Sequence, residues 1–249
     1  MVDRWRGLAR DLLGLVLPIS CAGCGADDDG WCPTCATALA GPARRVEQQA
    51  GRLDRMDGDP PVPVWAVADF AGPVRRAVSV WKDRGRTDLT GVLAAAARRA
   101  ARAVADERVW SGSPVLVVPA PSTPAARRAR GWDPAAALAA AVADELNRRG
   151  APARVATVLR RAPGRDQSGL SARARSRNLA GQVRVRRWPA TPPGRAVLVD
   201  DVLTTGATFA ACVHALDAAG VGVVAGVVVA ATPHPGLALA PLDHPGEAR

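Results

Sequence analysis

From about residue 63 onward, short apolar runs rich in β-branched residues alternate with longer alanine-rich stretches whose apolar positions recur at helical spacing. The runs predict strands at Val64–Phe70, Val115–Val118, Val155–Leu159, Val183–Val185, Ala196–Val199 and Val221–Ala230. The stretches between them predict helices at Pro73–Trp81, Leu89–Ala105, Pro134–Arg149 and Ala207–Ala219. Such alternation is the signature of an α/β domain, a mostly parallel sheet flanked by helices. Arg127, Arg128 and Arg130 before Gly131 read, from the residues alone, as a solvated basic loop. The longest apolar stretch, Val221 to Ala231, falls short of the roughly 18–20 residues a membrane-crossing helix needs. Leu12 to Ile19, followed by Ser20 and Cys21, imitates a lipoprotein signal, but Asp11 abuts it and Pro18 interrupts it. A cytoplasmic protein without a signal peptide is therefore expected.

The N-terminal part has a different character. Cys21-Ala-Gly-Cys24 and Cys32-Pro-Thr-Cys35 form two CxxC pairs close together in sequence. Each pair can turn two thiolates toward one ion, and two pairs complete a closed tetrahedral site, for which zinc is the default metal. Two disulfides or a redox motif are the competing readings. Disulfides are disfavoured in the cytosol, and a redox CxxC needs no duplicate. Cys212, alone on a predicted helix, reads as a small buried apolar residue. Residues 41–63, rich in Arg, Gln, Asp, Gly and Pro, read as a linker. The expected organisation is a zinc-binding module over 1–41, a linker over 42–62, the α/β domain over 63–235 and a tail over 236–249.

Composition changes this picture in one respect. The 249 residues are 48% apolar, enough to build a core, and carry a formal charge of +10. That charge favours anionic partners such as phosphates or nucleic acid, although a compositional bias toward arginine produces the same excess. Lys82 is the single lysine of the chain, set between Trp81 and Asp83 after a predicted helix. A compact ammonium serves where a broad guanidinium does not fit.

The segment richest in chemistry runs Ala196-Val-Leu-Val-Asp200-Asp201-Val-Leu-Thr204-Thr205-Gly206-Ala207-Thr208. It is an apolar strand leading into two acids, a Thr/Gly turn and a helix. Backbone N–H groups of the turn can converge on a phosphate at the positive end of the helix, with threonine hydroxyls as further donors. The two carboxylates leave the strand where they can accept from vicinal ribose hydroxyls. A capped helix with solvated aspartates explains any one of these features but not all together, because adjacent acids repel unless something compensates them.

This segment resembles the phosphoribosyl pyrophosphate (PRPP) motif of type I phosphoribosyltransferases. With the double CxxC, Trp81-Lys82-Asp83-Arg84-Gly85-Arg86, Arg130-Gly131-Trp132-Asp133 and Gln167…Leu170-Ser171…Arg177-Asn178-Leu179 in that order, residues 12 to 231 resemble the ComF family of competence-associated phosphoribosyltransferase-like proteins. The resemblance implies a type I phosphoribosyltransferase fold behind the small N-terminal zinc module. It also implies Asp200, Asp201, Lys82 and Arg130 as catalytic residues. Thr204, Thr205, Gly206, Ala207, Thr208, Gly131, Gln167, Arg177 and Asn178 would hold PRPP, with Mg²⁺ accompanying it. A cis peptide within Val118–Ser122 would receive the pyrophosphate, and the stretch from Leu159 to Leu179 would cover the site. Single-stranded DNA and a DNA-uptake helicase-like protein are the implied partners. The alternative is a non-catalytic module that binds single-stranded DNA or senses a ribose phosphate. The chain departs from the family in having Trp132-Asp133-Pro134 where Phe-Asn-Gln is usual, so Asp133 and Pro134 are left out of the expected site.

Overall fold

The computed structural model describes residues 19–53, 60–107, 114–162, 182–186 and 194–233. The cysteine segment contains a short helix, α1 (Pro33–Thr37), and is followed by β1 (Arg44–Arg45). Then come β2 (Val64–Ala66), β3 (Ala68–Asp69), α2 (Gly72–Asp83), α3 (Thr90–Asp106), β4 (Val115–Pro119), α4 (Pro124–Arg130) and α5 (Pro134–Arg148). The chain continues through β5 (Ala153–Val155), β6 (Leu159–Arg161), β7 (Val183–Val185), β8 (Arg195–Val199) and β9 (Val202–Leu203), and closes with α6 (Ala207–Asp217), β10 (Gly222–Val227) and β11 (Ala230–Ala231).

The main sheet has six strands in the order β1-β2-β10-β8-β4-β5, parallel except for the antiparallel edge strand β1. The two-residue period of the strands divides the core. Val115, Val117, Val197, Val199, Ala225 and Val227 face α2, α3 and α5, whereas Leu116, Val118, Ala196 and Leu198 face α6. The result is a three-layer α/β/α arrangement, as the alternation of elements predicts. Among the described residues, no helix is long and apolar enough to cross a membrane.

Four expectations change. The stretch Val155–Leu159 is not one strand. Its first part pairs with β4, but after Ala156 N–H bonds the Val117 carbonyl the Val158 N–H turns onto Ala156, and β6 then pairs antiparallel with β7. The same kind of split divides Val64–Phe70 and Val221–Ala230, because β2/β3, β8/β9 and β10/β11 all break at one level, and their continuations form a separate three-stranded parallel sheet. Residues 124–130 are a helix rather than a loop. Thr123 Oγ1 accepts from Ala126 N–H at 3.2 Å, Pro124 opens the first turn, and Gly131 closes the helix at φ +72°. Its lack of any buried residue is why no apolar period announced it. Finally, part of the expected linker belongs to the core: β1 extends the sheet, and Val46, Ala50 and Leu53 are buried against the α6 side.

Gly226 of β10 lies directly under the Phe209 ring of α6, and a Cβ at that position would collide with it. Gly226→Ala is expected to lower stability by about 1–3 kcal/mol through overpacking, read as a lower urea midpoint with an unchanged slope.

Candidate functional site

The order of the parallel strands reverses between β4 and β8: the chain leaves β4 toward β5 on one side, and leaves β8 toward β10 on the other. In open parallel sheets, ligands bind at the carboxyl ends of strands at such a switch point. Here those ends are joined in register, with Pro119 opposite Val199 and Ala120 N–H donating to the Val199 carbonyl at 2.8 Å. The β4 end leads into Pro121, Ser122 and α4. The β8 end is Asp200-Asp201.

The two aspartates have different surroundings. Asp201 is 4% exposed and lies in the break between the two sheets, its carbonyl accepting from Val229 N–H at 3.0 Å. Its carboxylate meets Lys82 Nζ from the last turn of α2, at 3.0 Å from Oδ1 and 2.6 Å from Oδ2. Asp200 is half-buried, and its Oδ1 accepts the Asp201 N–H at 2.9 Å. Burial first, and then the charge of Asp201, push the Asp200 carboxyl well above its ordinary range, with Lys82 opposing. Burial works against the Lys82 ammonium, but Asp201 and Asp200 outweigh it and raise its pKa, while Arg130 acts in the opposite sense. Lys82 is thus the compensation that two adjacent acids require. The ammonium is engaged by the Asp201 carboxylate. Asp201 is a buried ion-pair member, not a solvated acid at a strand end.

After β9, Thr204 and Thr205 are exposed, Gly206 is buried at φ +79°, and α6 begins at Ala207, with Thr208 in its first turn. Thr205 Oγ1 faces the Ala207 N–H at 3.5 Å, and the opening amides of α6 have no partners within the helix. A Cβ on Gly206 would stand 2.9 Å from Leu53 Cγ and 3.0 Å from Ala50 Cβ, so this corner needs glycine for both conformation and space. Beside it lies a cavity of about 420 Å³ between Gln49, Gly51 and Arg52 on one side and Thr204, Thr205 and Thr232 on the other. Sequence reasoning missed the first wall, because Gln49 and Arg52 fall in a segment without motif or period.

Arg130 ends α4. Its Nε donates to the Ala126 carbonyl at 3.1 Å, while Nη1 is buried without a partner. Gly131 supplies the left-handed turn that follows. Trp132 packs edge-on against Trp81, ring centroids 4.9 Å apart, so the two chain segments bearing Arg130 and Lys82 are held together by aromatic contact. No cis peptide bond occurs among the described residues, including Val118–Ser122. Gln167, Arg177 and Asn178 lie outside the described residues.

The four cysteines of the N-terminal segment converge, their sulfur atoms all within 4.8 Å of one another. Cys24 and Cys32 Sγ are 3.6 Å apart, close to the separation two thiolates adopt on one tetrahedral ion. Burial raises the Cys21 pKa, but N–H groups of Cys32, Cys24 and Gly23 outweigh it and hold the thiol down at about 6. Burial pushes Cys35 up, as does its contact with Cys24, Cys32 and Cys21. A cation is what would let all four ionise together. This cluster could hold a metal ion such as zinc. Cys212 is fully buried on α6, as expected of an apolar cysteine.

No family model matches the chain, and no curated protein matches it. Among solved structures it is similar to an orotate phosphoribosyltransferase from Aeropyrum pernix, at 21% identity over 65% of this chain and 78% of that one, with a TM-score of 0.29. So partial a superposition bears on neither substrate nor activity.

The asymmetry of the acids generates a test. The folded protein holds the Asp200 proton more tightly than the unfolded chain does. This carboxyl therefore costs the fold stability as pH climbs from the ordinary carboxylate range of about 4 through its raised value. Asp200→Asn is expected to be more stable than the parent at about pH 8, with the difference vanishing on acidification toward about pH 4. Asp201→Asn leaves Lys82 without its partner and is expected to lose about 1–3 kcal/mol at neutral pH, the partial exposure of Lys82 limiting the cost. Urea unfolding across that pH range reads both.

Proposed function

We propose that the site at the β4/β8 switch point binds a phosphorylated ribose, with PRPP as the fullest ligand, and that the chain is a phosphoribosyltransferase-like protein of the ComF type. The observation that carries this reading is the succession, at one strand end, of a half-buried Asp200, an ion-paired Asp201 and a threonine-lined turn opening α6. Thr204, Thr205, Gly206, Ala207 and Thr208 offer hydroxyls and helix-terminal amides to the 5′-phosphate. Asp200 accepts from the ribose hydroxyls and faces positive charge developing at the anomeric carbon. Asp201 and Lys82 act through Asp200, fixing its position and its charge. Arg130, with Nη1 lacking a protein partner, accompanies the pyrophosphate from the far side of the switch point, next to Gly131.

Mg²⁺ fits such a site: Asp200 is pushed toward its protonated form by burial and by Asp201, and a cation arriving with the ligand relieves that excess of negative charge. When bound, the ion neutralises the pyrophosphate. The cysteine cluster is read as a structural zinc site, closed by four thiolates with no open position. A role in DNA uptake rests on the family resemblance alone.

Pyrophosphate release from PRPP and Mg²⁺ against a panel of nucleobases tests catalysis. Calorimetry with PRPP tests binding without turnover, and binding without release assigns the chain to the sensing alternative. Asp200→Asn and Thr205→Val are each expected to weaken PRPP binding by about 1.5–3 kcal/mol, and unchanged affinity in both refutes the site. Elemental analysis is expected to find one zinc per chain. Four freely titrating thiols at Cys21, Cys24, Cys32 and Cys35 in metal-free protein refute that part.

A further inference from the structure

The segment between the cysteine cluster and β2 is held at both ends. At its start, Val46 N–H donates to the Val64 carbonyl at 2.8 Å, and the buried Glu47 carboxylate accepts from Val64 N–H at 3.1 Å and Arg45 Nε at 2.7 Å. At its end, Arg52 N–H donates to the Thr205 carbonyl at 3.3 Å, and Ala50 and Leu53 lie against Gly206. The 3₁₀ turn Glu47–Gln49 and the residues after it are thereby fastened to the threonine loop.

The cavity of about 420 Å³ lies between this turn and the loop, within the roughly 300–1,000 Å³ of small-molecule sites. Gln49 lines it, and Gln49 Oε1 is buried without a hydrogen-bond partner. A buried polar atom left unpaired is unfavourable, and one on a residue that lines a cavity calls for a partner to complete its bonding. Thr204, Thr205 and Thr232 also line the cavity, and threonine hydroxyls suit an anion with several acceptor oxygens. Turning the Gln49 amide over presents Nε2 to such an anion, since the assignment of its two ends follows the hydrogen bonding around it.

We propose that the turn is a wall of the ligand site: Gln49 hydrogen-bonds the phosphomonoester held by Thr204 and Thr205, with Thr232 beside them in the lining. This rests on the ribose-phosphate reading above and extends it to a segment that carries none of the motif. The segment leading from the cysteine cluster then takes part in binding rather than only connecting.

Calorimetry on the full chain with ribose 5-phosphate, inorganic phosphate and unphosphorylated ribose tests it, comparing the parent with Gln49→Leu, Gln49→Glu and Thr232→Val. The parent is expected to bind ribose 5-phosphate, and inorganic phosphate more weakly. Gln49→Leu is expected to lose about tenfold in affinity for both, the worth of one charge-assisted hydrogen bond. Gln49→Glu should lose more, because its carboxylate faces the phosphate, and Thr232→Val should lose several-fold. If the parent binds ribose 5-phosphate and the variants bind it equally, the inference falls while the ribose-phosphate reading stands. If the parent binds neither phosphate ligand, that reading fails and the inference with it. Should the Gln49 variants not fold, the exposed Thr232 decides, and undiminished affinity in Thr232→Val overturns the proposal.

Discussion

The ion pair between Lys82 and Asp201 is the contact on which the site depends. It sits where three neighbouring strands break at one level, a place where backbone groups of β8, β9 and β11 converge and where a carboxylate without a cation would be strongly unfavourable. The Lys82 ammonium supplies that cation to Asp201, and its neighbour Asp200 is presented at the rim. The ammonium comes from the last turn of α2, where the helix dipole also favours a cation. A long-range pair, 119 residues apart in sequence, thus sets the electrostatics of the whole strand end.

That dependence reaches the cysteine segment. Arg76 on α2 donates to the Gly23 carbonyl, Arg86 just beyond α2 donates to the carbonyls of Ser20 at 3.2 Å and Gly30 at 3.3 Å, and Arg99 on α3 donates to that of Leu39. The segment's own cluster comprises three buried cysteines with Trp31 packed on them, too little apolar material to be stable alone. A metal and a docking surface are the two available remedies, and the second is the helix that delivers Lys82. The cysteine segment is therefore docked on the helix that also delivers Lys82 to Asp201, although these residues are far apart in the chain.

The arginine content has a structural explanation beside any functional one. Glu145, buried on α5, is met by Arg102 at 2.7 Å and Arg148 at 2.6 Å, and these cations hold its carboxyl below the ordinary range against the effect of burial. This pairing ties α3 to α5 on the face opposite α6. Guanidinium groups, with several donors in one plane, suit that bridging and the capping of carbonyls in the cysteine segment better than ammonium groups do. Lys82 is the exception because its partner is a single recessed carboxylate.

How much of this was legible depended on the range of the interactions involved. The strand–helix alternation, the two CxxC pairs and the run from Asp200 to Thr208 are local patterns, set by periodicity and by spacings of a few residues, so the sequence alone determined the α/β class and marked the cysteine cluster and the acidic strand end. It also required some compensation for Asp200 beside Asp201. Other features rest on contacts between distant segments: which acid is buried, that Lys82 is the compensating cation, that Gln49 to Leu53 pack beneath Gly206, and that three strands break together. Helix α4 had its signals in Thr123, Pro124 and Gly131, but without a buried face it carried no period to connect them. Tertiary structure decided these because burial and pairing belong to the assembled sheet, and no window of neighbouring residues contains the energy that selects them.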